Sequence, residues 1–212
     1  MNENYQITLD RTLDALTKEG RVPSLLLHSC CAPCSSYVLE YLSHYFNITV
    51  FYYNPNLDTR EEYERRTKEQ ERLIREMPLE REVKLIVGDY DTDRFHEISR
   101  GLEDVPEGGE RCFKCYRLRL EEAAREAKNG GYDFFTTTLS ISPLKNSKKL
   151  NEIGALLADE YGVSYLFSDF KKRNGYKRSC ELSTTYSLYR QNYCGCEYSK
   201  AEALRREKNK TS

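Results

Sequence analysis

Short apolar segments alternate with longer amphipathic ones along most of the 212 residues, and this alternation restricts the fold more than any other feature. The apolar segments have the length of strands, and the segments between them repeat their apolar residues at the spacing of a helix. Strands that are joined by helices pair in parallel through right-handed crossovers. The sequence therefore predicts an α/β fold, with a mainly parallel sheet and helices on both faces.

The predicted elements follow one another in a regular order. Strands are predicted over Leu25–Leu27, Ile48–Tyr53, Val83–Val87, Phe134–Leu139 and Val163–Phe167. Helices are predicted over Leu9–Leu16, Tyr37–Phe46, Asp58–Glu76 (with Asp58 as the N-cap), Arg111–Lys128 and Ser147–Tyr161. Because about 200 residues suit one core, we expect residues 1–200 to form a single α/β domain and residues 201–212 to form a solvated charged tail.

The loops that follow the predicted strands are where such a fold binds its ligands. These loops are residues 28–35, 54–57, 88–91 and 140–145, and the first of them holds three cysteines. It lies between a strand and a helix, and a helix N-terminus lowers the pKa of thiols and stabilises anions. The expected ligand cleft and the cysteine chemistry therefore coincide.

Seven of the eight cysteines fall into three clusters. The N-terminal residues mix polar and apolar side chains, unlike a signal peptide, and no apolar run reaches the roughly 20 residues of a membrane span. We therefore expect a cytoplasmic protein, in which clustered thiols indicate metal or redox chemistry and not disulfides. The eighth, Cys180, is interpreted as a buried structural residue. The predicted metal ligands are Cys30, Cys31, Cys34, Cys112, Cys115, Cys194 and Cys196.

The spacing of these thiols leaves the metal open. Four thiolates from two pairs can close a structural zinc site. Seven exceed what one zinc ion or one cubane cluster needs, and the adjacent side chains of Cys30 and Cys31 point in different directions. The surplus favours a cluster with a neighbouring metal or a redox pair. A Ser-His-Asp or Cys-His hydrolase has no support, and His28 is interpreted as lining the cleft or as a structural hydrogen-bonding residue.

Basic and aromatic side chains accompany the cysteine clusters, although the formal net charge of the chain is only −1. Whole-protein charge therefore does not indicate a nucleic-acid partner, and binding would depend on local patches. Arginine and lysine suit phosphates, and tyrosine suits an extruded base. A solvated charged face is the alternative interpretation. The candidates for substrate contacts are Tyr116, Arg117, Arg119, Lys145, Lys171, Lys172, Arg173 and Arg190.

Several blocks of the sequence resemble the QueH epoxyqueuosine reductases. The first is Leu-Leu-Leu-His-Ser-Cys-Cys-Ala-Pro-Cys at residues 25–34, and others lie at residues 53–56, 111–116, 136–145 and 169–176. The most specific is Tyr-Arg-Gln-Asn-Tyr-Cys-Gly-Cys at residues 189–196, because no structural requirement explains its recurrence. Together the blocks extend over nearly the whole chain.

The resemblance implies an enzyme that reduces epoxyqueuosine, in the anticodon loop of tRNA, to queuosine. It also implies a [4Fe-4S] cluster with an additional mononuclear iron, an external electron donor, and a fold similar to the HUP or PP-loop architecture. The first cysteine cluster is assigned as catalytic, Asn54 joins the candidates for substrate binding, and a carboxylate such as Asp89 is a further candidate ligand. Which cysteines serve which metal centre stays open.

Two other classes of protein remain as alternatives. An iron–sulfur tRNA sulfurtransferase of PP-loop-like fold would use ATP, but the usual Ser-Gly-Gly-x-Asp-Ser phosphate loop is absent from this sequence and the first cysteine cluster occupies its place. A non-catalytic RNA-binding module would bind zinc without iron or sulfide.

Overall fold

The computed structural model describes residues 4–209, so the first three residues, and the last three of the predicted tail, lie outside the described residues. Its centre is a parallel sheet with the strand order β3-β2-β1-β4-β5. The strands are β1 (Ser24–His28), β2 (Asn47–Tyr52), β3 (Lys84–Val87), β4 (Phe134–Thr137) and β5 (Ser164–Tyr165). The predicted α/β fold with a parallel sheet is confirmed.

Helices connect the strands, and two further helices come after the last strand in the chain. They are α1 (Tyr5–Lys18), α2 (Ala32–Leu42), α3 (Arg60–Glu76), α4 (Thr92–Ser99), α5 (Glu110–Asn129), α6 (Ser147–Tyr161), α7 (Gly175–Thr185) and α8 (Glu197–Lys208). A 3₁₀ turn, Thr138–Ile141, follows β4. Within residues 4–209, every helix is too short or too polar to cross a membrane.

Alternate residues of β1 point to opposite faces of the sheet, and each face has its own core. Leu25 and Leu27 pack against apolar side chains of α1, α2 and α3. Leu26 packs on the other face against side chains of α5 and α6. All three leucines are fully buried, and burying each contributes about 1.5–3 kcal/mol. The helices therefore cover both faces, as predicted.

The strand order creates a crevice at the carboxyl ends of β1 and β4. The chain leaves β1 through α2 on one face of the sheet and leaves β4 through α6 on the other face. Connections that diverge in this way leave a gap above two neighbouring strands. In this gap the backbone N–H of Cys30 donates to Thr138 Oγ1 at 3.2 Å. The crevice therefore positions the first cysteine cluster.

Helix α2 ends at Leu42 and not at Phe46, and β5 covers Ser164–Tyr165 and not Val163–Phe167. Three other predicted boundaries differ for local reasons. Helix α2 begins at Ala32 and not at Tyr37, because Pro33 suits the first turn of a helix, where its missing N–H breaks no hydrogen bond. Strand β4 ends at Thr137 and not at Leu139, since the Thr137 hydroxyl accepts from the N–H of Leu139 and starts the 3₁₀ turn. The N-cap of α3 is Thr59 and not Asp58.

Helices α4, α7 and α8 were not predicted from the sequence. Helix α7 packs against α2 largely through small residues such as Ser179 and Ser183, which carry no apolar periodicity. Helix α8 buries only Ser199, and its residues from Ala201 to Lys208 form the described part of the predicted tail. A helix that buries so little apolar surface leaves no pattern in the sequence.

Candidate metal centre

The first cysteine cluster forms a compact thiol site, here called the triad (Cys30, Cys31 and Cys34). Its three sulfur atoms lie within 4.8 Å of one another. The Sγ atoms of Cys30 and Cys31 are 3.8 Å apart, and Cys30 Sγ lies 3.4 Å from Thr138 Oγ1. A tetrahedral ion bound at 2.3 Å separates its sulfur ligands by about 3.8 Å. The triad therefore has the spacing that a single metal ion requires.

The end of β1 and the start of α2 position the triad. Cys31 is the N-cap of α2, and Cys34 lies in its first turn. Below them, the hydroxyls of Ser29 and Ser35 both donate to the buried side-chain oxygen of Gln70, each at 2.8 Å. These buried hydrogen bonds fix the loop that carries the thiols.

The electrostatics of the triad favour one shared thiolate. Hydrogen bonds from Cys31 and Cys34, with help from the positive charge of Arg119, hold the pKa of Cys30 well below its ordinary value. The hydrogen bond to Cys30 raises the pKa of Cys31 to about 12, and the same partner raises the pKa of Cys34. The Cys30 sulfur is therefore the first of the three to ionise and to attract a cation.

The other four clustered cysteines line a single cavity and are here called the tetrad (Cys112, Cys115, Cys194 and Cys196). Within the described residues, only the triad brings three candidate ligand atoms within 4.8 Å of one another. The tetrad sulfurs are therefore spread more widely than the ligands of a single zinc ion. A cubane cluster places four irons between four thiolates and suits such a wider arrangement.

Two distant segments supply the tetrad. Cys112 and Cys115 lie in the first turns of α5 at the i, i+3 spacing, which directs both side chains to the same face of the helix. Cys196 is the N-cap of α8, and its sulfur accepts from the N–H of Ser199. Helix α5 and the loop before α8 therefore close the cavity from two sides.

A buried arginine and a glycine hold the loop before α8 in place. Arg66 is ion-paired with Glu62 at 2.7 Å and donates to the carbonyl oxygen of Cys194 at 3.2 Å. Gly195 has a φ of +132°, and a Cβ at this position would lie 2.3 Å from a methyl carbon of Leu57. Only glycine combines this backbone conformation with so close an approach. The Cys-Gly-Cys spacing is therefore a requirement of the site.

Burial governs the pKa values of three tetrad thiols, whereas hydrogen bonds between the thiols govern those of the triad. Burial raises the pKa of Cys115 to about 12, and burial also raises the pKa values of Cys112 and Cys196. Desolvation of this kind opposes ionisation until a cation or a metal binds. These thiols therefore ionise less readily than a surface cysteine unless a cation or a metal binds in the cavity.

The triad opens onto a cleft of about 350 Å³ that shares a wall with the tetrad cavity. Glu107, Lys145, Cys194 and Ser199 line both spaces. Lys145 is buried, and its Nζ lies 2.9 Å from Cys194 Sγ and 3.3 Å from Glu107 Oε1. Burial alone would lower the pKa of Lys145, but the Cys194 sulfur raises it well above the ordinary value. The shared wall therefore carries a buried ammonium group that is paired with the Glu107 carboxylate.

A second buried cation lies beneath the two thiol sites. Arg119 is 2% exposed, lines the tetrad cavity, and donates to Asn54 Oδ1. Its Nε lies 3.3 Å from Nε2 of His28, whose Nδ1 is 2.8 Å from Thr137 Oγ1. Burial, followed by the charge of Arg119, lowers the pKa of His28 to about 3. His28 is therefore a neutral residue with structural hydrogen bonds, one of its two interpretations from the sequence.

The predicted substrate contacts lie in three environments. Lys145 and Arg190 line the open cleft, whereas Tyr116, Arg119 and Asn54 are buried next to the thiol sites. On the outside of the described chain, Arg117 is paired with Glu160, Lys171 with Asp169 and Arg173 with Asp10, while Lys172 is exposed. Whether any of them contacts a substrate stays a prediction.

Several charged residues of the site were missed in the sequence, among them Glu107 and Arg66. Glu107 lies in an acidic loop, where nothing in its neighbourhood marks it as part of a cavity wall. Arg66 lies on a helix rich in charged residues, and only its burial distinguishes it from its neighbours. Asp89, by contrast, is exposed at the end of β3. Cys180 is half-buried on α7 and lies outside both thiol sites.

Comparisons with known proteins identify the family of this chain. A family model described as "Epoxyqueuosine reductase QueH" matches residues 25–202. A protein of that name from Streptococcus pyogenes is 42% identical over 93% of this chain and 80% of its own length. Its counterpart from Staphylococcus epidermidis is 41% identical over 92% of this chain and 84% of its own, and that from Thermotoga maritima is 35% identical over 88% and 94%. This chain belongs to the epoxyqueuosine reductase QueH family.

Proposed function

We propose that this chain reduces epoxyqueuosine in tRNA to queuosine. The two carbon–oxygen bonds of the epoxide break, a carbon–carbon double bond forms, and the oxygen leaves as water after the uptake of two electrons and two protons. The observation that carries the proposal is the pair of thiol sites with a common wall, in a chain whose relatives are named for this reaction. An external donor supplies the electrons.

The tetrad is proposed to hold a [4Fe-4S] cluster. It offers four thiols in one cavity, at a spread too wide for a single zinc ion. The same cavity is lined by the buried Tyr116 hydroxyl, which has no hydrogen-bond partner among the described residues. Buried polar atoms are normally satisfied, so an occupant that accepts a hydrogen bond from this hydroxyl fits the cavity.

The triad is proposed to hold the additional mononuclear iron. Its sulfur spacing suits one ion, and Cys30 lines the cleft where a substrate can enter. A bound iron supplies Lewis acidity toward the epoxide oxygen. Glu107 lines the same cleft and is a candidate for a carboxylate ligand.

Residues of the cleft are proposed to bind the modified base. The cleft volume of about 350 Å³ lies in the range of small-molecule sites. The buried ammonium group of Lys145 forms part of its wall and can donate a hydrogen bond to a substrate oxygen there. Cys30, Cys31 and Cys34 are the catalytic candidates because they lie in the same cleft.

The rim of the cleft is proposed to receive the anticodon loop. Exposed apolar and aromatic side chains, Leu144 and Tyr176, lie there together with Arg190 and Arg206. An extruded base can stack on such side chains while arginines contact its phosphates. Lys171 and Lys172 are proposed as further contacts to the RNA backbone.

The fold relation, the domain bounds and the compartment expected from the sequence are also proposed. The strand order supports a relation to the HUP or PP-loop folds, in which the triad occupies the place of the phosphate loop. Residues 1–200 are proposed to be one domain with residues 201–212 as its tail, and the cytoplasm as its compartment. The sulfurtransferase and zinc-module alternatives are not favoured, because the relatives reported above are named as reductases.

Anaerobic reconstitution tests the proposal directly. The loaded protein is incubated with tRNA that contains epoxyqueuosine and with a low-potential chemical reductant, and the nucleosides are then analysed by mass spectrometry. We expect protein-dependent loss of one oxygen atom from the modified nucleoside, with about four sulfides per chain in the protein. A preparation that contains zinc but no iron or sulfide, and leaves the nucleoside unchanged, would contradict it.

A further inference from the structure

The hydroxyl group of Tyr116 is a buried donor without an acceptor. Tyr116 lies on α5, directly after Cys115, and is 2% exposed. Its Oη atom has no hydrogen-bond partner among the residues that the structure describes. A protonated phenol in such a position loses its bonds to water and gains nothing in return. An unsatisfied group of this kind calls for an explanation.

The surroundings of this hydroxyl indicate which kind of acceptor it serves. Tyr116 lines the tetrad cavity with all four tetrad cysteines. The cationic side chains of this cavity, Lys145, Arg111 and Arg119, are donors only. Its one carboxylate, that of Glu107, is paired with Lys145 at 3.3 Å and accepts no hydrogen bond from Tyr116. An occupant that brings electron-rich sulfur atoms into the cavity would supply the missing acceptor.

We propose that Tyr116 Oη donates a hydrogen bond to a sulfur of the cluster in the tetrad cavity and thereby raises the reduction potential of the cluster. This inference rests on the proposed [4Fe-4S] cluster and adds a role for a residue that is not a ligand. Reduction adds negative charge that is shared by the sulfurs, so a donor bonds more strongly to the reduced cluster than to the oxidised one. Tyr116 is thus a positioning residue for electron transfer, and the bond it makes differs from the substrate contact expected from the sequence.

Another buried tyrosine provides a matched control. Tyr165 on β5 is 5% exposed and packs in the same core as Tyr116. Its hydroxyl has a hydrogen-bond partner in the side chain of Thr136. Tyr116→Phe and Tyr165→Phe therefore each delete one buried hydroxyl on the same face of the sheet, but only the first deletes one that lacks a protein partner.

Redox titration of the loaded protein tests the proposal. The reduced cluster is followed by electron paramagnetic resonance in wild type, Tyr116→Phe and Tyr165→Phe. We expect the ratio of reduced to oxidised cluster in Tyr116→Phe to fall about tenfold at a given ambient potential, which for one electron corresponds to a shift of about 59 mV to more negative values. Tyr165→Phe should titrate like the wild type. The midpoint potential is a property of loaded molecules, so incomplete loading does not disturb the comparison.

Thermal unfolding of the metal-free protein provides a second measurement. Without a cluster, Tyr116→Phe removes an unsatisfied buried group and should raise the melting temperature, whereas Tyr165→Phe removes a satisfied one and should lower it. An unchanged potential in Tyr116→Phe would overturn the proposal, and so would a folded Tyr116→Phe protein that assembles no cluster. Wild-type protein without iron and sulfide would instead overturn the proposed cofactor.

Discussion

The triad and the tetrad use the same side chain in opposite settings. The triad comes from one short stretch between β1 and α2, its sulfurs lie within 4.8 Å of one another, and it faces an open cleft. The tetrad joins the first turns of α5 to the loop before α8, spreads its sulfurs more widely, and lines a separate cavity. The triad, which comes from one segment beside the cleft, suits a single ion next to a substrate. The tetrad, which joins two distant segments, suits a larger cluster.

The pKa values of the thiols also differ between the two sites. In the triad the pKa values diverge, because hydrogen bonds within the site lower that of Cys30 and raise that of Cys34. In the tetrad burial raises the pKa values of Cys112, Cys115 and Cys196 together. One thiol of the triad therefore ionises more readily than an ordinary cysteine, whereas burial opposes ionisation of Cys112, Cys115 and Cys196 until an occupant binds.

Loss of a tetrad cysteine should have the largest effect. In Cys112→Ser, the cavity keeps three thiols, and we expect loss of nearly all sulfide, of the brown charge-transfer absorption and of turnover. Iron and sulfide analysis after anaerobic reconstitution, together with the reduction assay, provides the measurement. Wild-type sulfide content in this variant would remove the tetrad from its proposed role.

Loss of a triad cysteine should separate the two centres. We expect Cys30→Ala to retain its sulfide and its cluster absorption, to lose about one iron per chain, and to lose turnover by about 10²-fold or more, since Lewis acidity is worth several kcal/mol. The same assays as for Cys112→Ser apply. If Cys30→Ala lost sulfide to the same extent as Cys112→Ser, the division of the cysteines into two centres would be wrong.

Much of the fold could be predicted because its core elements are apolar and periodic. Strand β1 and helix α6 bury regular apolar positions, and the predicted bounds of α6 agree with the structure. Helix α7 could not be predicted, since it packs through small polar residues that resemble a loop in the sequence. Propensity and periodicity report buried apolar surface, so elements without it are missed.

The candidate site was predictable in its parts and not in its arrangement. The three cysteine clusters are visible as short-range motifs, and the Pro33 that starts α2 is visible with them. That Cys194 shares a cavity with Cys112, and not with the triad alone, depends on contacts such as that between Arg66 and the Cys194 carbonyl. Such pairings join residues far apart in the chain, and one sequence contains no signal for them.

Charge removal at the cleft rim should weaken substrate binding without affecting either metal centre. The double variant Arg190→Ala/Arg206→Ala removes two exposed cations from the rim of the cleft. We expect the KM for tRNA to rise roughly tenfold, while the sulfide content stays at the wild-type level. Turnover at saturating tRNA should change less, because the lost binding is uniform. Steady-state rates at two salt concentrations provide the measurement.

The run at residues 171–173 is the natural counterpart of that variant. These three residues lie outside the lining of the cleft, so replacing Lys171, Lys172 and Arg173 by alanine should raise the KM for tRNA by less than the rim variant does. Each phosphate contact that is lost should flatten the salt dependence by about 0.7 in the logarithmic slope. An unchanged KM and slope would identify this run as a solvated face.

The smallest effect is expected for the one cysteine outside both sites. Cys180 is half-buried on α7, and its thiol hydrogen-bonds with Arg190, a contact that raises the pKa of that arginine. A serine hydroxyl can take over this contact, so Cys180→Ser should keep its iron and sulfide content and stay within about twofold of wild-type turnover and KM. The KM is the sensitive quantity, because Arg190 lines the cleft, whereas Cys180 is not among the residues that line the cleft or the tetrad cavity. If Cys180→Ser lost as much iron as Cys112→Ser, Cys180 would have to be counted as a metal ligand. An eighth thiol would then belong to the triad or to the tetrad.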